Sequence, residues 1–171
     1  MIIYLIGFMG SGKSSCGEKL AQELNIHFTD LDTELEKKTG LSVAELFTQK
    51  GEPWFREQEH SLLRQVSERD DQVIACGGGT PCFYDNMEFM NSHGITVYLK
   101  MSVKGLLERL SDQTHSRPLL EGKTGPELEK FIQDLLEKRE MWYLKSSYKV
   151  KAMNLDVKEL AEVIRSETVG H

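Results

Sequence analysis

The feature that most constrains this chain is a glycine-rich turn, GFMGSGKSS, at residues 7–15, directly after the apolar run Ile2–Ile6. Cys16, Leu20 and Leu24 then recur at helical spacing. Strand, turn and helix in this order are the context in which GxxxxGK[ST] forms a phosphate-binding loop. The sequence therefore predicts an α/β protein that binds a nucleotide.

The chemistry of this turn explains its composition. Glycines let backbone N–H groups surround phosphate oxygens, and the following helix adds the positive end of its dipole. We expect Lys13 to reach the outer phosphates and the Ser14 hydroxyl to bind Mg²⁺. A turn that serves only packing is the alternative, and the motif in this context disfavours it.

A magnesium site of this kind usually includes a carboxylate from a neighbouring strand. The predicted third strand, Gln72–Cys76, runs into glycines, so the carboxylate must come from elsewhere. Asp30 and Asp32 lie at the end of the predicted second strand, His27–Leu31. On an extended chain their spacing points both side chains to the same side, so one can face a metal and the other a substrate. The alternative for Asp32 is a helix cap.

Strand and helix patterns alternate along the rest of the chain. Two further strands are predicted at Ile95–Leu99 and Tyr148–Lys151, with helical patterns between them. The capping-box signature of a helix start occurs at Ser42–Glu45, Asp85–Glu88 and Asp156–Glu159. This alternation predicts one α/β domain over residues 1–171, with helices on both faces of a parallel sheet.

Composition limits the function classes. Of 171 residues, 39% are hydrophobic and 28% are charged, with a net charge of −6. The negative balance argues against binding to nucleic acid or anionic membranes, so positive groups for an anionic ligand must be local.

The apolar start is too short for a membrane span and lacks signal-peptide features, which predicts a cytoplasmic location. Without a long exposed apolar stripe, we expect a monomer. Cys16, Cys76 and Cys82 are expected to be reduced packing residues.

Two arginines are candidates for recognising a carboxylate. Arg56 and Glu59 are three residues apart on one predicted helical face, so Glu59 could hold Arg56 as a fork for a substrate. The alternative is a surface ion pair. Arg139, late in a long predicted helix, could supply a second fork, although taken alone it would be a solvated helix arginine.

One glycine-rich segment and one polar segment complete the candidate site. Gly77, Gly78 and Gly79 follow a central strand, at the edge where open α/β sheets bind ligands, and their backbone can approach a ligand closely. A simple turn is the alternative. The polar stretch at about 111–125 predicts a lid that could deliver Arg117 to a ligand, and a surface connection is its alternative.

The segments GFMGSGKSS, FTDLD, TELEKKTG, GEPWFREQE, CGGGTP, RPLL and KREMWY, in this order, resemble the shikimate kinase family over nearly the full chain. The resemblance implies a three-layer P-loop kinase fold with five parallel strands in the order 2-3-1-4-5. It also implies a substrate-binding helical region at about 33–63 and the lid. The implied reaction, a step toward the aromatic amino acids, transfers the γ-phosphate of ATP to the 3-hydroxyl of shikimate, with Mg²⁺ as cofactor.

The motifs and the resemblance together give a set of candidate site residues. The predicted catalytic residues are Lys13, Asp32 and Arg117. The predicted ATP-binding residues are Gly10, Ser11, Gly12, Lys13, Ser14, Ser15 and Arg117. The predicted shikimate-binding residues are Asp32, Arg56, Glu59, Gly77, Gly78, Gly79 and Arg139, and the predicted metal ligands are Ser14 and Asp30.

The sequence departs from the family pattern at two places. Ser14 and Ser15 replace a common serine-threonine ending after the lysine, and residues 151–156 look shorter than the usual adenine loop and lack its arginine. Adenine contacts are therefore not assigned.

The guanine-reading motif of GTP switch proteins, asparagine-lysine-x-aspartate, is missing. The remaining alternatives are a related small-metabolite kinase, of gluconate or nucleotide type, and a non-catalytic nucleotide-binding module.

Overall fold

The structure is a computed structural model and describes residues 1–169. Strands and helices alternate as the sequence predicts. The elements are β1 (Ile2–Ile6), α1 (Lys13–Leu24), β2 (His27–Asp30), α2 (Leu31–Thr39), α3 (Val43–Lys50), α4 (Glu52–Val66), β3 (Gln72–Ala75), α5 (Asn86–His93), β4 (Ile95–Lys100), α6 (Val103–Leu110), α7 (Gly125–Tyr143), β5 (Tyr148–Lys151) and α8 (Val157–Val169).

The strands form one parallel sheet in the order β2-β3-β1-β4-β5, which confirms the predicted topology. In the central strand β1, Leu5 lies opposite Ala75 on one side and Val97 on the other. All five β1 residues are buried. This explains why the strand reads as a continuous apolar run, since helices cover both faces of a parallel sheet.

Alternate residues of β1 enter two separate cores, as the two-residue period of a strand requires. Tyr4 and Ile6 belong to a core on the side of α2–α7, whereas Ile3 and Leu5 belong to a core shared with α1 and α8. The first core continues beneath the helical segment 33–63 and beneath the segment at 111–125. The walls of the candidate site therefore rest on the main apolar core.

The boundary between β2 and α2 differs from the prediction. Asp30 is the N-cap, because its side chain accepts a hydrogen bond from the Thr33 N–H at 3.0 Å, so the helix begins at Leu31. Asp32 therefore lies in the first helical turn and is not a cap. The premise that Asp30 and Asp32 share an extended chain is wrong, although both side chains still reach the site.

One of the three predicted capping boxes is wrong. The box at Ser42–Glu45 is confirmed with both reciprocal hydrogen bonds. Asp85 makes no side-chain cap, because its carboxylate binds Arg64 instead. Asp156 caps α8 by accepting from two backbone N–H groups, at 3.0 and 3.2 Å.

The predicted lid segment contains two short 3₁₀ turns, Thr114–Ser116 and Pro118–Leu120. Thr114 and Leu120 are buried, so these turns are attached to the core rather than forming a wholly exposed connection.

Elsewhere in the chain, Cys16, Cys76 and Cys82 are free thiols, as expected. Over the described part of the chain, no helix is long and apolar enough to cross a bilayer.

The capping box of α3 gives a direct test of the fold, because α3 forms part of the wall of the candidate site. Ser42→Ala removes a cap and is expected to lower the free energy of unfolding by about 1 kcal/mol. Thr48→Ala is the matched control, since this exposed hydroxyl on the same helix only bonds back to the Ala44 carbonyl. The control should change stability by less than about 0.5 kcal/mol in urea denaturation. Equal losses in the two variants would contradict the capping assignment.

Candidate active site

The turn at residues 7–15 forms a phosphate-binding loop at the N-terminus of α1. Gly10 and Gly12 have φ angles of 80° and 88°, which favour glycine. Lys13 is nine-tenths buried beneath the turn, and its ammonium donates to the carbonyls of Gly7 at 2.8 Å and Phe8 at 2.9 Å. The loop therefore holds Lys13 in place, and Lys13 is predicted to contact the ligand that the same loop binds.

The electrostatics of this turn favour an anion. Burial and, to a lesser extent, the positive charge of Arg117 lower the pKa of Lys13 to about 8. The Arg117 pKa is also lowered, mainly by burial. Since both cations lose hydration here, a negatively charged ligand would stabilise their charged forms. The positive end of the α1 dipole acts in the same direction.

The structure brings the two predicted metal ligands together. The Ser14 hydroxyl donates to Asp30 Oδ2, although the residues are sixteen positions apart. Hydroxyl and carboxylate oxygens suit Mg²⁺, which commonly takes only one or two protein ligands beside phosphates and water. Within residues 1–169 no group of three His, Cys, Asp or Glu side chains forms a metal site. The pair fits a magnesium ion held mainly by a nucleotide.

Two cavities meet beside the loop. The helical-side cavity, about 270 Å³, is lined by α2–α4 residues together with Arg139, whereas the loop-side cavity, about 320 Å³, is lined by the phosphate loop and Asp30. Their shared wall consists of Met9, Asp32, Gly77, Gly78 and Arg117. Two ligands bound in these cavities would lie next to each other, as group transfer requires.

Asp32 stands at the junction of the two cavities. Burial raises the pKa of its carboxyl to about 7, and the negative charges of Glu59 and Asp30 contribute to the increase. Lys13 and Arg56 oppose the increase. Its carboxyl is thus positioned to accept a hydrogen bond from a group that spans both cavities.

Arg56 and Glu59 form a buried ion pair on α4. Arg56 Nη1 lies 3.0 Å from Glu59 Oε1, and the side chains are 6% and 1% exposed, so the surface-pair interpretation is wrong. Arg56 also bonds Glu52 at the rim, at 3.2 Å. Glu59 Oε2 accepts from the Thr80 hydroxyl at 2.7 Å, and the Phe83 ring lies 4.4 Å from the guanidinium carbon. The Arg56 guanidinium is therefore fixed at the wall of the helical-side cavity.

Arg139 is buried on α7 and lines the same cavity. Its Nη1 atom is inaccessible to solvent and has no hydrogen-bond partner in the part of the chain described. A solvated helix arginine is thus excluded. A buried guanidinium nitrogen without an acceptor is costly, which indicates that an external acceptor such as a carboxylate belongs here.

The glycine triplet makes room for charged side chains. A Cβ atom at Gly79 would lie 2.5 Å from Arg56 Nη2, and one at Gly77 would lie 2.9 Å from Glu59 Oε2. The triplet turns through hydrogen bonds from Thr80 N to Gly77 O and from Cys82 N to Gly79 O. The three glycine N–H groups themselves donate to no acceptor within residues 1–169. A simple turn does not explain these free donors beside a cavity.

The predicted lid arginine reaches the shared wall. Arg117 lines both cavities, and its Nε and Nη2 atoms donate to Gln113 Oε1 at 3.2 and 3.1 Å. Sequence reasoning missed Gln113 and Arg109, which line the loop-side cavity. Arg109 also donates to the Gly10 carbonyl at 3.2 Å. The sequence offered one signal for them, because Arg109, Gln113 and Arg117 follow one another at intervals of four residues.

Ser11 is the one predicted residue that lies apart from both cavities. It is buried, its hydroxyl has no partner in the described chain, and it lines a smaller cavity of about 180 Å³ beyond the phosphate loop. Arg109, Ala152, Leu155 and Val157 line the same cavity. This places the segment after β5 next to the loop.

Comparisons with known proteins point to one family. The family model described as "Shikimate kinase" matches residues 9–168. The shikimate kinase of Parabacteroides distasonis is 47% identical over 145 residues, which cover 85% of this chain and 84% of that protein.

Solved structures give the same result. A crystal structure of shikimate kinase from Bacteroides thetaiotaomicron has a TM-score of 0.89 at 40% identity, covering 99% of this chain and 98% of that chain. The enzyme from Acinetobacter baumannii, solved in complex with shikimate, has a TM-score of 0.87 at 34% identity, covering 99% and 93%. A gluconokinase from Sinorhizobium meliloti, at 18% identity and a TM-score of 0.55, shares the fold alone.

The two carboxylates that bind Arg56 provide a matched test of the site. Glu59→Gln leaves a buried guanidinium without its buried counter-ion and is expected to lower the free energy of unfolding by about 3 kcal/mol. Glu52→Gln removes the exposed partner, whose side chain is 41% exposed, and should change it by less than about 1 kcal/mol. Urea denaturation measures both. Similar losses would show that Glu59 is not the buried counter-ion of Arg56.

Proposed function

The chain belongs to the shikimate kinase family, and we propose that it transfers the γ-phosphate of ATP to the 3-hydroxyl of shikimate. The products are ADP and shikimate 3-phosphate. One observation carries the assignment of the acceptor site: the partnerless Arg139 nitrogen and the fixed Arg56 guanidinium line one cavity beside the phosphate loop. The relative solved with shikimate supports the choice of acceptor.

The helical-side cavity would hold shikimate. Arg56 and Arg139 would bind its carboxylate, which supplies the acceptor that Arg139 Nη1 lacks. The Arg56–Glu59 pair keeps the first guanidinium in place without occupying all its donors. The free N–H groups of Gly77, Gly78 and Gly79 would donate to ring hydroxyl oxygens.

Asp32 would accept a hydrogen bond from the 3-hydroxyl and orient it toward the loop-side cavity. The hydroxyl oxygen then bonds to the γ-phosphorus as the bond from that phosphorus to the bridging oxygen of ADP breaks, and the hydroxyl proton passes to the Asp32 carboxylate. Positioning and electrostatic stabilisation supply most of the catalysis in such transfers. Asp32 therefore has to orient the nucleophile more than to act as a strong base.

Positive charge would surround the transferred group. Lys13 and the backbone N–H groups of residues 10–15 would bind the phosphates, and Arg117 would approach from the lid. Ser14 and Asp30 are the residues that would hold Mg²⁺, either directly or through water. When bound, the ion neutralises negative charge on the phosphate oxygens.

The small cavity beyond the loop is our candidate for the adenine. Arg109 offers a flat guanidinium, and Ala152, Leu155 and Val157 offer apolar surface on its other walls. These residues replace the longer loop that the family resemblance implies. The base would thus be bound mainly by stacking and apolar contact.

We further propose that the enzyme acts as a cytoplasmic monomer with ATP, ADP and shikimate as its partners. The three free thiols, two of them buried, are in keeping with a reducing compartment. The net charge of −6 does not favour nucleic acid as a partner.

A coupled ADP-release assay tests the function directly. The purified chain is given ATP with shikimate, gluconate or nucleoside monophosphates, and we expect release to depend on shikimate. Gluconate dependence would support the related-kinase alternative. Activity with none of the acceptors would support the non-catalytic alternative.

Removal of individual charges should separate binding from turnover. Arg139→Ala, like Arg56→Ala, is expected to raise KM for shikimate about 100-fold, because a carboxylate loses a charged partner. Lys13→Ala, like Arg117→Ala, should lower kcat at least about 100-fold while KM for shikimate stays within about threefold. Lys138→Ala, an exposed neighbour on α7, is the control and should match the wild type. Steady-state kinetics with the reverse pattern would overturn these roles.

A further inference from the structure

Tyr143 is a buried tyrosine that no step of the proposed reaction uses. It is fully inaccessible to solvent and ends α7, one turn after Arg139. Its ring packs against Tyr98, with the centroids 5.0 Å apart. Burial raises the pKa of the Tyr143 hydroxyl well above its ordinary value, so the group remains a hydrogen-bond donor at all working pH values.

The hydroxyl of Tyr143 donates to the backbone carbonyl of Gly78, which lies 65 residues away in the chain. Gly78 lines both cavities. A Cβ atom there would lie 3.1 Å from the Met9 backbone nitrogen and 3.2 Å from Arg139 Nη1. The tyrosine therefore bonds a peptide group packed between the phosphate loop and a substrate-binding arginine.

The hydrogen bond from Tyr143 to the Gly78 carbonyl also fixes the orientation of the Gly79 N–H, because both groups belong to one peptide. The C=O and N–H of one trans peptide point in opposite directions, so a hydroxyl that fixes the Gly78 carbonyl also fixes the Gly79 N–H. That N–H points away from Tyr143 and has no acceptor within residues 1–169. Glycine has wide backbone freedom, so without an anchor the peptide could rotate.

We propose that Tyr143 is a positioning residue for shikimate binding. Its hydroxyl anchors the Gly78–Gly79 peptide so that the Gly79 N–H is ready to donate to the substrate. Because Arg139 lies four residues earlier on α7, the same helix positions the peptide and the arginine together. This inference rests on the proposed binding of shikimate in the helical-side cavity.

Tyr143→Phe tests the inference, with Tyr98→Phe as its matched control. Both changes remove a hydroxyl from the same buried ring pair, but Tyr98 donates to Glu140 Oε1, at 3.3 Å, and not to the glycine triplet. Tyr143→Phe should raise KM for shikimate about tenfold, with kcat and KM for ATP within about threefold. Tyr98→Phe should leave KM for shikimate within about twofold, because its hydroxyl has no contact with the triplet.

Equal shikimate KM values in the two variants, or an equal rise in KM for ATP, would overturn the inference. If Tyr143→Phe is too unstable to assay, 4-fluorophenylalanine and 4-aminophenylalanine at position 143 replace it, since both fill the space but only the amino group donates. The amino variant should have a KM for shikimate about tenfold below that of the fluoro variant. Equal values would overturn the inference. A wild-type enzyme inactive with shikimate would instead refute the proposed function.

Discussion

The burial of charged side chains at the carboxyl edge of the sheet is the constraint on which the site depends. Removing an ion from water costs several kcal/mol unless partners compensate for it. Glu59 compensates Arg56, whereas Arg139 Nη1 has no partner in the described chain. Burial also lowers the Lys13 pKa and raises the Asp32 pKa. The site therefore contains buried charged groups without full compensation. The carboxylate of an acceptor and the phosphates of a nucleotide would together compensate them.

The glycine triplet makes this arrangement sterically possible. Side chains at Gly77 and Gly79 would displace the Glu59 carboxylate and the Arg56 guanidinium from their observed positions. Their absence lets the α4 ion pair pack against backbone and leaves N–H groups free beside the cavity. Because the loop-side and helical-side cavities share this wall, one short segment separates the predicted donor and acceptor of the phosphoryl group.

Much of this could be predicted from the sequence, because the main determinants are local. The phosphate loop depends on its own glycines and on the strand and helix beside it, and the parallel topology follows from the alternation of elements. The errors had two causes. Asp85 binds Arg64 of another helix, which local spacing does not reveal, and α2 is capped by Asp30, two residues before the expected Asp32, because the second strand ends earlier than predicted. The burial of Arg139 and the contact of Tyr143 with Gly78 depend on tertiary packing, which residue spacing alone does not reveal.

The central claim is that the two cavities hold donor and acceptor next to each other, with the acceptor carboxylate between two guanidinium groups. A crystal structure with ADP, Mg²⁺ and shikimate bound tests this most directly. We predict phosphates within the loop above Lys13, the shikimate carboxylate on Arg56 and Arg139, and the 3-hydroxyl beside Asp32 and facing the nucleotide. Shikimate bound outside the helical-side cavity, or with its carboxylate away from both arginines, would contradict the account.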